Sequence, residues 1–189
     1  MASSAGHFEI AEVLQVISML PGLFLVYYSL KKNKFKLKPP LYAYYLLCVG
    51  SIIYHSYKSC TKTHEFTPYL LKLDIFCQQV LIYACILCSP YAVRGSLMIL
   101  PLSILSVYLC DMKVLQEQNI SLASHACCLL SASYCLDYRI TILWIIAMTV
   151  FTQKELFPKC VALLWHSLNH ICTYYTWHAL ERMNASGFL

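Results

Sequence analysis

Apolar runs of membrane-crossing length alternate with short polar segments along the whole chain, a pattern that predicts seven helices. The first run covers about 9–30 and contains Pro21-Gly22, a kink that a membrane helix tolerates. The loop KKNKFKLKPP follows, then a second run over about 41–57. After the polar stretch KSCTKTHEFTP a third run covers about 68–88. Ser89-Pro90 and Arg94-Gly95 mark the turn into a fourth, about 95–110. DMKVLQEQN reads as a loop, and the fifth run covers about 120–136. Asp137-Tyr138-Arg139 turns tightly into a sixth over about 140–152, and QKELFPK leads into the seventh, about 157–180. The sixth is short: about 13 apolar residues against the usual 20 or so. The expected organisation is an outer segment 1–8, a seven-span membrane domain 9–180 and an inner tail 181–189.

Composition strengthens this reading. Of 189 residues, 59% are apolar and 12% charged, whereas a soluble domain carries about 25% charged residues. Mean hydropathy is +0.59. Seven helices of about 20 residues use roughly 140 positions and leave about 50 for ends and loops. The expected fold class is an all-α integral membrane protein, a seven-transmembrane helix bundle with short loops and no second domain. Met1 to Gly6 lacks a basic region, so the first run reads as a retained helix. Most of the eleven cysteines lie inside apolar runs, where Cys behaves as a small hydrophobe. Cys85 and Cys88 form a CxxC outside any βαβ context, which gives it no redox meaning. One disulfide among Cys60, Cys110 and Cys160 is left open.

The net charge of +5 would suggest nucleic acid in a soluble protein. Here Lys31, Lys32, Lys34, Lys36 and Lys38 share one loop between apolar runs, which reads as a topology signal. With that loop in the cytoplasm, the N-terminus is lumenal or outside and the C-terminus cytoplasmic. Arg94, Arg139 and Arg182 join the inner side; Lys58, Lys62, Lys72, Lys113, Lys154 and Lys159 fall on the outer side. Asn119-Ile120-Ser121 is an outer glycosylation sequon close to the membrane, and Asn184-Ala185-Ser186 an inner, silent one. The expected location is the endoplasmic reticulum, Golgi or plasma membrane.

Ionisable groups inside membrane spans are expensive and point to function. His166 and His170 are four apart, so their rings share one helix face. Ser51 and His55 repeat that spacing near the outer end of the second run, and Asp74 lies one to two turns into the third. Under the alternating topology all five fall in the outer half of the membrane. Three imidazoles, one carboxylate and one hydroxyl at a common depth match a three-His zinc site with a catalytic water. Each histidine alone also fits a packing role. His125, in the outer half of the fifth run, is a reserve ligand; His7 and His64 read as exposed, and His178 lies at the far end of the seventh run.

Ser51-Ile52-Ile53-Tyr54-His55, Leu71-Lys72-Leu73-Asp74 and His166 to His170, in this order and in these runs, resemble the CREST superfamily of seven-span membrane proteins. That group includes alkaline ceramidases, adiponectin and progestin receptors, GPI-lipid-remodelling enzymes and myomaker-like proteins. The interval from His55 to Asp74 is nearer the receptor-like, GPI-remodelling and myomaker-like branches than the ceramidases. The resemblance implies zinc-dependent hydrolysis of a lipid amide or ester. His55, His166 and His170 would bind Zn²⁺, Asp74 would serve as general acid and base, and Ser51 would steady an oxyanion or a zinc ligand. The implied substrate is a membrane lipid entering from the bilayer, either ceramide-like or a phospholipid or GPI acyl chain. The alternatives are a non-catalytic receptor or membrane-remodelling protein with a structural zinc, and a small multi-pass scaffold in which the histidines only pack.

Overall fold

A continuous apolar run satisfies its backbone polar groups most simply by coiling on itself. Every regular element among the described residues is accordingly α-helical. The computed structural model describes residues 5–61, 65–89, 92–110, 115–152 and 158–186, with side chains except at 5–11, 92–96, 98, 115–119, 135 and 158–162. The described residues form seven helices, α1 (Ala5–Lys31), α2 (Pro39–Cys60), α3 (Thr67–Leu87), α4 (Ala92–Leu109), α5 (Leu115–Leu136), α6 (Tyr138–Thr152) and α7 (Pro158–Ala185). Pro at the first turns of α2 and α3 suits a position whose N–H has no helical partner. Helix α1 runs on through Pro21.

Each helix packs on its neighbours in chain order, and α1 closes the ring against α7. Helices α3 and α5 also touch α7 across the interior. The largest core cluster joins α1, α2, α3 and α7 through Met19, Val26, Leu41, Tyr44, Leu81 and Trp177. A second joins α3, α4 and α5, and a third joins α6 to α7 around Trp144 and Cys172.

The outward faces are apolar too. Ile17, Leu20 and Phe24 of α1 are exposed, as are Leu97, Leu100 and Ile104 of α4 and Ile142, Ile145 and Ile146 of α6. Among the described residues, two helical stretches are long and apolar enough to cross a membrane, Glu12–Lys31 and Thr67–Leu87, each with hydropathy 1.7. Only 28% and 39% of their apolar windows are buried, less than the core helix of a soluble protein. Ile99–Leu109, Ile120–Tyr134 and Tyr138–Thr152 are shorter apolar helical stretches.

Two boundaries move furthest from the sequence reading. Helix α5 begins at Leu115, inside the segment read as a loop, and α7 continues to Ala185, through most of the segment read as a tail. Leu-Gln-Glu-Gln and Ala-Leu-Glu-Arg-Met are good helix formers, so polarity alone does not end either helix. Cys60, Cys85 and Cys88 are free thiols. His7, Lys62, His64, Pro90, Arg94, Lys113, Asn119, Lys154, Lys159 and Cys160 lie outside the described residues or side chains.

Candidate functional site

Two helix stripes face each other across the interior. On α2, Tyr44, Cys48, Ser51 and His55 recur at intervals of four, three and four, which keeps them on one face. On α7, His166, His170, Thr173 and Trp177 recur in the same way. All are buried except His170, which is partly buried. The stripes meet through rings: Tyr44 and Trp177 have centroids 5.4 Å apart, Tyr44 and His170 6.0 Å, and His55 and His166 6.2 Å.

Asp74 comes to this axis from α3. It is 6% exposed, and the Ser51 side chain adjoins its carboxylate. Gln78 Nε2 lies 3.5 Å from Oδ2, at the outer limit of a hydrogen bond, and Oδ1 is buried without a hydrogen-bond partner. A buried carboxylate oxygen left unpaired costs stability and calls for a functional explanation. Ser51, His55, Asp74 and His166 are thus brought together, and His170 sits one turn further along α7.

Helix α1 supplies groups that the sequence reading missed. Glu12, 5% exposed, accepts a hydrogen bond from His55 Nδ1 at 2.6 Å and a second from Lys58 Nζ at 2.6 Å. A carboxylate on one imidazole nitrogen fixes the tautomer and leaves the other nitrogen as a lone-pair donor, the arrangement common behind metal-bound histidines. Ser18 Oγ pairs with Nδ1 of His166. The Ser18 carbonyl accepts from Nε2 of His170 at 2.8 Å, and the Tyr44 hydroxyl pairs with Nδ1 of the same ring. Gly22 makes room for that ring: a Cβ there would stand 2.8 Å from His170 Cε1 and 2.8 Å from Cys48 Sγ. Two signals point to these groups: Glu12 is an acid inside an apolar run, and Tyr44 lies on the Ser51–His55 stripe.

The donor types suit zinc, and two of the three imidazoles come near the spacing that one ion would need. Two imidazoles on one tetrahedral zinc have ring centroids about 5 Å apart. His55 and His166, at 6.2 Å, are close to this, and each engages a protein partner through Nδ1. His170 joins them only by exchanging its bonds to Tyr44 and Ser18, because both its nitrogens are engaged. Among the described residues no three His, Cys, Asp or Glu side chains converge into a metal cage.

His125 belongs to a different cluster. Its Nδ1 pairs with Gln79 Nε2 at 2.8 Å, Gln79 Oε1 accepts from Ser103 at 2.7 Å, and Ser121 donates to the Ser106 carbonyl at 2.6 Å. This network ties α3, α4 and α5 together. His178 packs on Phe35 and Tyr174 near the far end of α7.

A small apolar crevice lies between α3, α5, α6 and α7. Leu81, Ile82, Cys85, Leu129, Trp144 and Thr173 are among its walls, and Thr173 also belongs to the His170 stripe. Compared with models of known protein families, with curated proteins and with solved structures, the chain matches none.

Proposed function

We propose that the chain is a seven-span integral membrane protein that hydrolyses an amide or ester bond of a membrane lipid, with zinc held by His55, His166 and His170. The observation that carries this is the buried, unpartnered Oδ1 of Asp74 beside Ser51 and His55, with His55 and His166 facing each other at 6.2 Å. It agrees with the resemblance to the CREST superfamily drawn from the same residues.

The spanning reading rests on the surface. Exposed tyrosines gather near helix ends: Tyr27 and Tyr28 late in α1, Tyr42 and Tyr45 early in α2, and Tyr134 and Tyr138 around the α5–α6 turn. Tyr69 and Tyr108 mark the opposite ends, at the start of α3 and the end of α4. Tyrosine favours the membrane–water interface, and exposed Leu, Ile and Phe fill the span between. Helix α6, with 15 residues, is about 22 Å long and crosses a hydrocarbon core of about 30 Å by local thinning or flanking interfacial residues.

Bound zinc would polarise the scissile carbonyl and lower the pKa of a coordinated water. Asp74 Oδ1 has the free acceptor that a proton from that water requires, and the same carboxyl returns it to the leaving amine or alcohol. Ser51 orients the carboxylate. Glu12 holds His55 in the tautomer with Nε2 free. The candidate residues lie among apolar helices, so the substrate class proposed is a lipid that approaches from the bilayer.

The test is zinc stoichiometry of the purified protein, followed by turnover of a panel of ceramides, lysophospholipids and phospholipids. About one zinc per chain, lost in His55→Ala, with hydrolysis abolished in Asp74→Asn that keeps its zinc, is the expected result. Zinc without turnover of any lipid would leave a structural metal and sink the hydrolase reading. No zinc would sink the site.

A further inference from the structure

We infer that the α1–α2 loop is a binding platform for the phosphate headgroup of anionic phospholipids in the inner leaflet, presented by Lys31, Lys32 and Lys36. The inference rests on the spanning reading and not on the hydrolase chemistry.

A topology signal needs only charge, and a loose loop would serve. This loop is built. Helix α1 ends in a Schellman motif: Asn33 takes the left-handed conformation at φ 47°, its N–H bonds the Leu30 carbonyl at 3.1 Å, and the Lys34 N–H bonds the Ser29 carbonyl at 3.0 Å. Asparagine tolerates that conformation better than most residues. The chain then drops Phe35 into the core, 2% exposed, with its ring 5.5 Å from Trp177 and 5.1 Å from His178. Glu181 of α7 accepts the Leu37 N–H at 2.7 Å. Both flanks of the loop are therefore fastened to the end of α7.

The anchoring sorts the five lysines into two groups. Lys34 Nζ bonds the Tyr174 hydroxyl at 2.6 Å and lies over that ring at 4.8 Å. Lys38 Nζ bonds Asn33 Oδ1 and the Phe35 carbonyl. These two ammonium groups hold the loop's shape. Lys31, Lys32 and Lys36 are exposed, and no carboxylate pairs with them among the described residues; Lys31 leans over the Tyr27 ring at 5.7 Å. The acids at this end are committed elsewhere: Glu181 to the Leu37 amide, and Asp137 to Arg139 and Arg182. Three ammonium groups without a carboxylate partner lie on a fixed loop, flanked along the chain by the exposed Tyr27, Tyr28, Tyr42 and Tyr45, the side chains that favour headgroup level.

The experiment uses the full chain in phosphatidylcholine nanodiscs doped with phosphatidylserine, with bound lipid counted by native mass spectrometry after transfer to detergent. Each lysine near a charged surface contributes about fivefold, so the triple variant K31Q/K32Q/K36Q is expected to lose about a hundredfold in phosphatidylserine retention. Phosphatidylcholine adducts should not change. Equal phosphatidylserine retention in wild type and variant would overturn the proposal. Displacement of the lipid by millimolar inorganic phosphate would identify free phosphate as the ligand and overturn the lipid assignment. Should the variant misfold, a salt series on the wild type decides: retention must fall as salt rises, and salt-independent adducts overturn the proposal. Carbonate extraction separates this from the reading beneath it. A chain released by carbonate ends the spanning reading; one that stays, yet binds both lipids alike, ends only the platform.

Discussion

The Glu12 carboxylate on α1 accepts a hydrogen bond from Nδ1 of His55 on α2 at 2.6 Å while also holding Lys58. An acid that orients a metal-binding imidazole typically contributes 10–100-fold to metal affinity. Glu12→Gln is therefore expected to weaken zinc binding by about that factor, read by competition with a chelator at fixed pH. Glu12→Ala also removes the carboxylate that accepts from Lys58 Nζ and is expected to cost about 1–3 kcal/mol of stability. Undiminished zinc affinity in Glu12→Gln would mean that the carboxylate serves only the ion pair.

Gly22 lets α1 pack closely against His170 and Cys48. A methyl group there would meet Cys48 Sγ and His170 Cε1 at 2.8 Å, well inside van der Waals contact. Gly22→Ala gains helix propensity, yet overpacking is expected to win, with a net loss of about 1–3 kcal/mol in a thermal melt in detergent. Adding Cys48→Ala removes one of the two clashes, so the double variant should recover part of the loss. A Gly22→Ala protein more stable than wild type would refute the close approach.

What the sequence made legible follows from periodicity. Spacings of four placed Ser51 with His55 and His166 with His170 on common faces, and positional depth brought Asp74 to them. Ser18 and Gly22 were not legible, because they meet His166 and His170 only through ring closure between α1 and α7, and Glu12 showed only as an acid in an apolar run until His55 stood opposite it. Tyr44 was legible in principle, on the same stripe as Ser51, but its hydroxyl has meaning only once His170 stands opposite. The reserve ligand His125 failed to join the site for a similar reason. Its depth suited the site, but α5 turns it toward Gln79, a partner that no spacing within α5 reveals.

Asp137 fastens the α5–α6 turn. Its carboxylate accepts bonds from the Arg139 backbone N–H at 3.0 Å and guanidinium at 2.9 Å, and it reaches Arg182 of α7 at 3.5 Å. The hydrogen bonds from Arg139 hold it below the ordinary 3.8 of a carboxyl group. A depressed acid stabilises the fold fully above that ordinary value, and the contribution fades as pH falls through the lower folded value. Asp137→Asn should thus melt slightly below wild type at pH 6, with the gap closing in strong acid. Melting curves across pH check this, and a gap that widens in acid would contradict it.

Gln79 offers the sharpest separation of the second polar network from the candidate site. Gln79→Leu leaves His125 Nδ1 and the Ser103 hydroxyl buried without their present partner, and an orphaned buried group costs about 1–3 kcal/mol. Removing both ends of a hydrogen bond costs much less than removing one. The double variant Gln79→Leu/His125→Leu is therefore expected to be more stable than Gln79→Leu alone, measured by thermal unfolding of the purified chain. Zinc content should be unchanged in both, because His125 pairs with Gln79 in the α3–α4–α5 network and not with the His55–His166 pair. Zinc lost on His125→Leu, with the fold intact, would instead make His125 the third ligand in place of His170, whose ring nitrogens are engaged by Tyr44 and Ser18.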